Sequence, residues 1–412
     1  MEYVIVGNSA AAVGAIEGIR LVDSTSTITV ISNEKHHTYS RPLISYLLQG
    51  KTNRELMKYR PDDFYTDAGC KTLFEKTATR LDSANKTVEL DDGSALSYDK
   101  LLIATGSSPF VPPMEGLEKV QNRFSFMSLD DADALEKVLF PEARVLIVGA
   151  GLIGLKCAEG IRARVRKISV IDLAPRILSS ILDVDGAKLV QTHLEEQGID
   201  ISLGVSVKSF TENSAELTNG EQIVFDILVT AVGVRPNVSL VKDAQGAVDR
   251  GILVNERMET SLPDVYAAGD CVVSDDLSCG SKRILAILPN AYVGGRAAGV
   301  AMAGGEHPNV KFMPMNAIGF FGLHVITAGS YEGEVYEEKC NGNYKKLFYA
   351  DDVLKGFILI GDVDKAGIYT SLIREKTPLS DIDFALVCRE PSLIAFGRSY
   401  RDEKLGGKSH DY

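Results

Sequence analysis

The sequence predicts an α/β fold: two Rossmann-like domains, the first discontinuous, followed by a C-terminal α+β domain. Three observations carry this. A short apolar strand breaks into small residues and then an alanine-rich helix at Tyr3-Val4-Ile5-Val6-Gly7, and again at Val145-Leu146-Ile147-Val148-Gly149-Ala150-Gly151. Each unit is followed by a hairpin and a buried strand that ends in glycine, so the chain reads as an internal duplication. From about Glu306 the pattern changes to strand-like runs such as Lys346-Leu347-Phe348-Tyr349 and Gly356-Phe357-Ile358-Leu359-Ile360.

The first hairpin runs over Lys86–Leu90 and Ala95–Tyr98, turned at Asp92-Gly93, and leads into Leu101-Leu102-Ile103-Ala104-Thr105-Gly106. The second turns at Asn219-Gly220 and leads into Ile227-Leu228-Val229-Thr230-Ala231-Val232-Gly233. Pro109, Pro112 and Pro113 mark the crossing into the second unit, and Arg235-Pro236-Asn237 the return. The expected domains are therefore 1–111 with 237–305, 112–236, and 306–412.

Composition narrows the function. Apolar residues make up 45% and charged residues 24%, which is ordinary for a globular chain. No apolar run approaches the length of a membrane span. A core-type strand follows Met1 almost at once, so no signal peptide is expected, and the expected location is the cytoplasm. A net charge of −12 without a long basic run argues against nucleic acid or an anionic membrane surface. The six cysteines are scattered without a C-x-x-C pair, so they are expected to be reduced and structural rather than cluster ligands or disulfides.

In a strand–turn–helix unit a pyrophosphate sits on the helix N-terminus, where free N–H groups and the dipole favour anions. The second unit has the full Gly149-x-Gly151-x-x-Gly154 pattern: a tight turn, close approach of the ligand, and close helix–strand packing. Its next strand ends at Asp172, suited to a ribose 2′-hydroxyl. A 2′-phosphate about 4 Å away would cost about 4 kcal/mol at an effective dielectric of 20. NADH is therefore favoured over NADPH, with Arg176 the residue that would reverse this. The first unit, Gly7-Asn8-Ser9-Ala10-Ala11-Ala12, departs from the pattern, with Ser9 at the second glycine and Ala12 at the third. Its second strand, Thr27-Ile28-Thr29-Val30-Ile31, leads to Glu34, placed for an adenosine ribose.

With these motifs the chain resembles flavoprotein reductases with two dinucleotide-binding domains, the glutathione-reductase-type fold, over essentially its full length. The segment Thr260–Asp270 is similar to that family's second FAD motif, in which the aspartate, here Asp270, holds the ribityl chain. Ala104-Thr105-Gly106 resembles the turn beside the flavin, and Tyr39-Ser40-Arg41-Pro42-Leu43-Ile44-Ser45 resembles the flavin-proximal segment of rubredoxin, ferredoxin and nitrite reductases. The resemblance implies FAD in the first domain, against Gly7, Ser9, Ala10, Ala11, Glu34, Lys35, Arg41, Pro42, Thr79, Ala104, Thr105, Gly106, Gly269, Asp270, Pro289, Asn290 and Ala291. It implies NAD(H) in the second, against Gly149, Gly151, Leu152, Ile153, Gly154, Asp172, Arg176, Val232 and Gly233. The helix opened by Leu288-Pro289-Asn290-Ala291-Tyr292 would point its positive end at the flavin; a plain buried helix is the alternative.

Residues that are missing carry information too. Disulfide-type members of this fold place a reactive cysteine after the second strand, and 36–50 contains none. Thiol–disulfide exchange needs a thiolate at the flavin, so that reaction class is not expected. Lys156 stands where relatives often have a glutamate. Two readings are open: a catalytic charge that stabilises reduced flavin, or an intrahelical pair with Glu159. His36 and His37 lie after Glu34, where contact with the cofactor and surface placement are equally compatible.

Flavin takes a hydride and can release electrons singly, so the expected acceptor lies in another polypeptide, an iron–sulfur protein or subunit. Small acidic acceptor proteins would be repelled by a −12 chain without a local basic patch, whereas a permanent complex needs no steering. The sequence flavour of Ile284–Tyr292 resembles the FAD/NADH subunits of phenylglyoxylate-type 2-oxoacid oxidoreductase complexes. A free-standing NADH:rubredoxin or ferredoxin reductase is the alternative, and a scaffold with structural or lost flavin, for which Ser9 argues, is the third. The tail matches the family's dimerisation domain in position, leaving a homo-oligomer and docking of a different subunit both open.

Overall fold

The computed structural model describes residues 1–306 and 310–405. These fall into two compact units. Of the described residues, the first comprises those within Met1–Ser180, Leu194–Asp275 and Lys282–Phe312, and the second those within Ile181–His193, Asp276–Ser281 and from Met313 to 405.

Two five-stranded parallel sheets organise the first unit. One runs in the spatial order Val265–Ala267, Lys100–Ile103, Glu2–Val6, Thr27–Ser32, Cys70–Phe74. The other runs Ile199–Leu203, Lys167–Asp172, Arg144–Val148, Ile227–Thr230, Arg123–Phe124. Continuous apolar runs suit strands covered on both faces, and Tyr3, Ile5, Ile28 and Leu102 are fully buried, as are Leu146, Ile147, Val170 and Leu228. The two units share the chemistry of their first turn glycine. Gly7 has φ +124° and a Cβ there would lie 2.1 Å from the carbonyl O of Ala104; Gly149 has φ +116° and a Cβ would lie 2.2 Å from that of Ala231. Only glycine fits a position that is both left-handed and in backbone contact.

The helix after the first strand, Ala10–Val22, packs on Leu288–Met302 with almost no side chain between them. A Cβ on Gly14 would lie 2.2 Å from the Tyr292 carbonyl O, and one on Gly295 would lie 2.0 Å from that of Ala11. The glycine and alanine content of Leu288–Met302 is thus a packing requirement at the positions that face the first helix.

Both expected hairpins form, and each gains a strand. Ala78–Asp82 precedes the pair Thr87–Leu90 and Ala95–Ser97, and Val207–Phe210 precedes Ser214–Leu217 and Gln222–Val224. The added strands have register shifts, between Ala78 and Arg80 and between Val207 and Ser209, and such a bulge breaks the two-residue alternation that reveals a strand. The crossings between the two sheets pair with each other, Ser107–Pro109 antiparallel to Val234–Pro236.

The second unit holds a five-stranded antiparallel sheet in the order Met315–Phe320, Leu323–Gly329, Val353–Ile360, Asn343–Ala350, Glu334–Cys340. Helix Ala366–Glu375 covers it, with Tyr369 against Phe357 at a ring-centroid distance of 5.5 Å. This unit also takes Ile181–His193, which the sequence boundaries 112–236 placed elsewhere. Asp183 accepts hydrogen bonds from Lys346 Nζ at 2.7 Å and Tyr344 Oη at 2.6 Å, partners more than 160 positions away that no local pattern announces. Residues 307–309 and 406–412 of the expected 306–412 domain lie outside the described residues. Among the described residues no helix is long and apolar enough to cross a membrane, and no cluster of His, Cys, Asp and Glu is arranged to hold a metal ion.

Candidate functional site

A cavity of about 360 Å³ opens at the C-terminal ends of the first parallel sheet, the side on which such sheets bind ligands. Helix Ala10–Val22 begins at its floor. Ser9 is the N-cap with no side-chain capping bond, and the first turn carries no acidic residue, so the positive helix end faces the cavity uncompensated.

Eleven residues expected from the sequence meet here: Gly7, Ser9, Ala11, Glu34, Arg41, Ala104, Thr105, Gly106, Gly269, Asp270 and Ala291. Asp270 lines the cavity, and burial pushes its carboxyl above the usual carboxylate range against the pull of Arg41. Glu34 forms an ion pair with Arg41 and accepts the Tyr39 hydroxyl at 2.7 Å. Tyr39 Oη in turn accepts the Leu129 N–H at 2.9 Å, and His36 Nε2 lies 2.9 Å from Asp130, so 127–131 is tied across the rim beside Met127.

Six expected residues stand outside the lining. Ala10 is buried in the helix start, Asn290 is half-buried, and Lys35, Pro42 and Pro289 are exposed. Thr79 is exposed and its hydroxyl donates to the Glu89 carbonyl within the three-stranded sheet; Lys76, Thr77 and Ala78 form that wall instead. The bulge at 78–80 shifts which residues face inward. Sequence reasoning missed Asn8, Ser107, Ser108, Asn237, Ser239 and Leu240, which all line the cavity. Small polar residues after a glycine turn were the available signal for Ser107 and Ser108.

The second nucleotide position is organised alike. Gly151 caps helix Leu152–Ile161, again without an acidic first turn, and a Cβ there would meet nothing within 4 Å. That is open space directly over a helix N-terminus. A Cβ on Gly154 would lie 2.0 Å from the Gly149 carbonyl O, the close packing its place in the pattern predicts. Asp172 ends the second strand with its carboxylate accepting the N–H of Ala150 at 2.6 Å and of Ala174 at 2.7 Å. Arg176 donates to the Ser179 carbonyl at 3.1 Å. Leu152, Ile153 and Val232 are half-buried, and Gly233 is exposed with φ +118°.

Lys156 does not line the first cavity. Its ammonium pairs with Glu159 on the same helix and lies 4.5 Å from the centroid of the Tyr46 ring. The structure thus displays the intrahelical pair, and the contact with Tyr46 brings Lys156 to the segment that follows Arg41.

The residues fit FAD in the first cavity. Gly7 lets the backbone close behind the helix end, Asp270 lines the cavity, and Ser107 Oγ is buried in the lining with no hydrogen-bond partner. A buried hydroxyl without a partner is costly unless a ligand supplies one. All six cysteines are free, and burial pushes the Cys70 and Cys271 thiols up to about 11.

Comparison with known proteins agrees with this geometry. Residues 1–298 match the family described as pyridine nucleotide-disulphide oxidoreductase, and residues 314–377 match the rubredoxin NAD+ reductase C-terminal domain. The chain is 33% identical over 414 positions to the NADH-dependent phenylglyoxylate dehydrogenase subunit epsilon of Aromatoleum evansii, covering 96% of each. It is 31% identical to the assimilatory nitrate reductase electron transfer subunit of Bacillus subtilis, over 91% of this chain but only about half (49%) of that protein's length. The covalent putidaredoxin reductase–putidaredoxin complex superposes with a TM-score of 0.88 at 22% identity, covering 99% of both chains, which speaks to the fold alone. The chain belongs to the pyridine nucleotide-disulphide oxidoreductase family, and it is an FAD-dependent oxidoreductase that uses NAD(H).

Proposed function

We propose that this chain is the NAD-coupling flavoprotein subunit of a 2-oxoacid dehydrogenase complex of the phenylglyoxylate type. It would move a hydride between NAD(H) and FAD, and single electrons between FAD and an iron–sulfur partner subunit. The observation that carries this reading is the match to the phenylglyoxylate dehydrogenase subunit, which is 33% identical and covers 96% of both chains. We read the setting as cytoplasmic.

In this reading the first cavity holds FAD, with Glu34 on the adenosine ribose, the start of helix Ala10–Val22 at the pyrophosphate and Asp270 on the sugar chain. NAD(H) lies over Gly151, with Leu152, Ile153, Gly154, Val232 and Gly233 around it. Asp172 takes the ribose hydroxyls and disfavours a 2′-phosphate. Bound flavin supplies hydride acceptance and one-electron release; the protein supplies position and charge. No side chain is required as an acid or base. Lys156 contributes a positive charge at the Tyr46 side of the helix interface.

The test is purification from the native host followed by identification of what co-elutes. Co-elution with an iron–sulfur subunit and 2-oxoacid-dependent NAD+ reduction by the assembly support the reading. A lone flavoprotein that reduces rubredoxin or ferredoxin with NADH overturns it. That outcome would favour the second reading, a free-standing reductase, for which the C-terminal match at residues 314–377 speaks.

A further inference from the structure

Asn237, at the return from the second sheet, makes four hydrogen bonds to the turn that lines the first cavity. Its N–H donates to the Gly106 carbonyl at 2.9 Å, and its Nδ2 donates to the Thr105 carbonyl at 2.9 Å. Its carbonyl accepts from Thr105 Oγ1 at 2.8 Å, and its Oδ1 accepts from Ser108 Oγ at 2.8 Å. Backbone and side chain of one residue therefore grip both ends of the turn. The buried Cys271 thiol also reaches Thr105 and the Gly106 backbone, whereas Gly106 itself sits at φ +61° and a Cβ on it would meet nothing within 4 Å.

Asn237 is also the root of the two-stranded ribbon that joins the two sheets. Pro236 pairs with Ser107 and Arg235 with Ser108, and the Arg235 guanidinium lies 4.3 Å from the centroid of the Phe110 ring. One amide thus sets the cavity wall and the register of both crossings to the nucleotide domain.

We propose that Asn237 is a positioning residue for hydride transfer: it holds the Thr105–Gly106 turn, with Ser107 beside it, against the flavin and fixes that wall to the ribbon carrying the NAD(H) domain. This rests on the reading that the cavity holds FAD. An ordinary turn cap would affect stability alone. A positioning role affects flavin affinity, flavin potential and the rate of reduction while leaving NADH affinity nearly unchanged, because the four hydrogen bonds of Asn237 all go to 105–108.

The experiment uses the full-length protein and the variants Asn237→Asp and Asn237→Ser. Asn237→Asp keeps the shape but replaces the donor to Thr105 O with a carboxylate oxygen; Asn237→Ser removes that donor without adding charge. FAD titration of the apoprotein, dye-equilibrated flavin potential and stopped-flow reduction by NADH are the readouts. The expected result is an FAD dissociation constant raised about tenfold and a limiting reduction rate lowered at least about tenfold, with half-saturation by NADH within about twofold of wild type. Should Asn237→Asp fail to fold, Asn237→Ser and the milder Ser108→Ala, which removes only the bond to Oδ1, decide. Flavin affinity, potential and rate all unchanged in the folded variants overturn the inference. A wild-type protein that binds NADH but takes up no FAD overturns the reading of the cavity instead.

Discussion

Asp172 and Ala150 are joined by a 2.6 Å hydrogen bond from the Ala150 N–H to the carboxylate, which fastens the end of the second strand to the glycine turn of the first. The same carboxylate takes the Ala174 N–H, so it is held at the strand end, where the proposed reading puts the nucleotide ribose. Asp172→Ala removes both the ribose acceptor and the repulsion of a 2′-phosphate. The ratio of kcat/KM for NADH to that for NADPH should fall at least about tenfold, measured by steady-state kinetics with both nucleotides. An unchanged ratio would show that Asp172 does not set nucleotide choice.

Gly149 and Gly151 lie two residues apart and should respond differently to alanine. At Gly149 the Cβ meets a carbonyl at 2.2 Å from a left-handed backbone, so Gly149→Ala should cost about 2 kcal/mol or more of folding stability. At Gly151 the Cβ enters open space, so Gly151→Ala should keep stability within about 1 kcal/mol. Its half-saturation for NADH should rise about tenfold, because the methyl occupies the pyrophosphate's approach. Urea melts and NADH titration separate the two effects.

The contact between Ala10–Val22 and Leu288–Met302 makes Gly14 a second sensitive position. Gly14→Ala places a methyl 2.2 Å from the Tyr292 carbonyl O, and neither helix backbone can yield cheaply. A loss of about 1–3 kcal/mol is expected from chemical denaturation, with weakened FAD retention, since Ala291 on the displaced helix lines the cavity.

Electron transfer should be indifferent to thiol chemistry. Burial pushes Cys70, Cys271 and Cys388 up to about 11, so near pH 8 they remain protonated and unreactive. Iodoacetamide should label Cys279 and Cys340, the exposed pair, and leave NADH-dependent reduction of an artificial acceptor unchanged. Mass spectrometry of the labelled protein with parallel assays tests this; inactivation that tracks labelling of Cys70 would contradict it.

Acid should weaken the C-terminal unit through Asp183. Burial raises its carboxyl, but hydrogen bonds from Lys346, Tyr344 and the Gly186 N–H outweigh it and leave the group below its usual value. A depressed carboxylate stabilises the fold above its unfolded pKa of about 3.9 and loses that contribution as pH falls through the folded value. Stability should therefore drop below about pH 4, and Asp183→Asn should flatten that limb while costing about 1 kcal/mol at neutral pH. Denaturant titrations between pH 3 and 7 measure both.

Local chemistry made much of the site legible. Gly7, Gly149, Gly151 and Gly154 announce themselves because a turn that must be left-handed, or approached closely by backbone or ligand, admits one residue type. Asp172 could be placed from the sequence because it ends a buried strand, and Asp270 because it follows one after a short turn. Thr79 was misplaced because a bulge inside its strand changed which side chains face inward. Lys156 was readable in two ways, and the Glu159 pair and Tyr46 contact came only with the folded helix interface.

The sequence by itself determined the paired dinucleotide-binding units, their turns and the change to a C-terminal α+β domain, because periodicity and turn chemistry act over a few residues. Tertiary structure decided what those turns are fastened to. Asn237 meets Thr105 across 132 positions, and Asp183 meets Lys346 across 163, with no spacing rule to link either pair. Such contacts form only where chain crossings and domain packing bring distant polar groups into the same buried space, and there each group needs a partner.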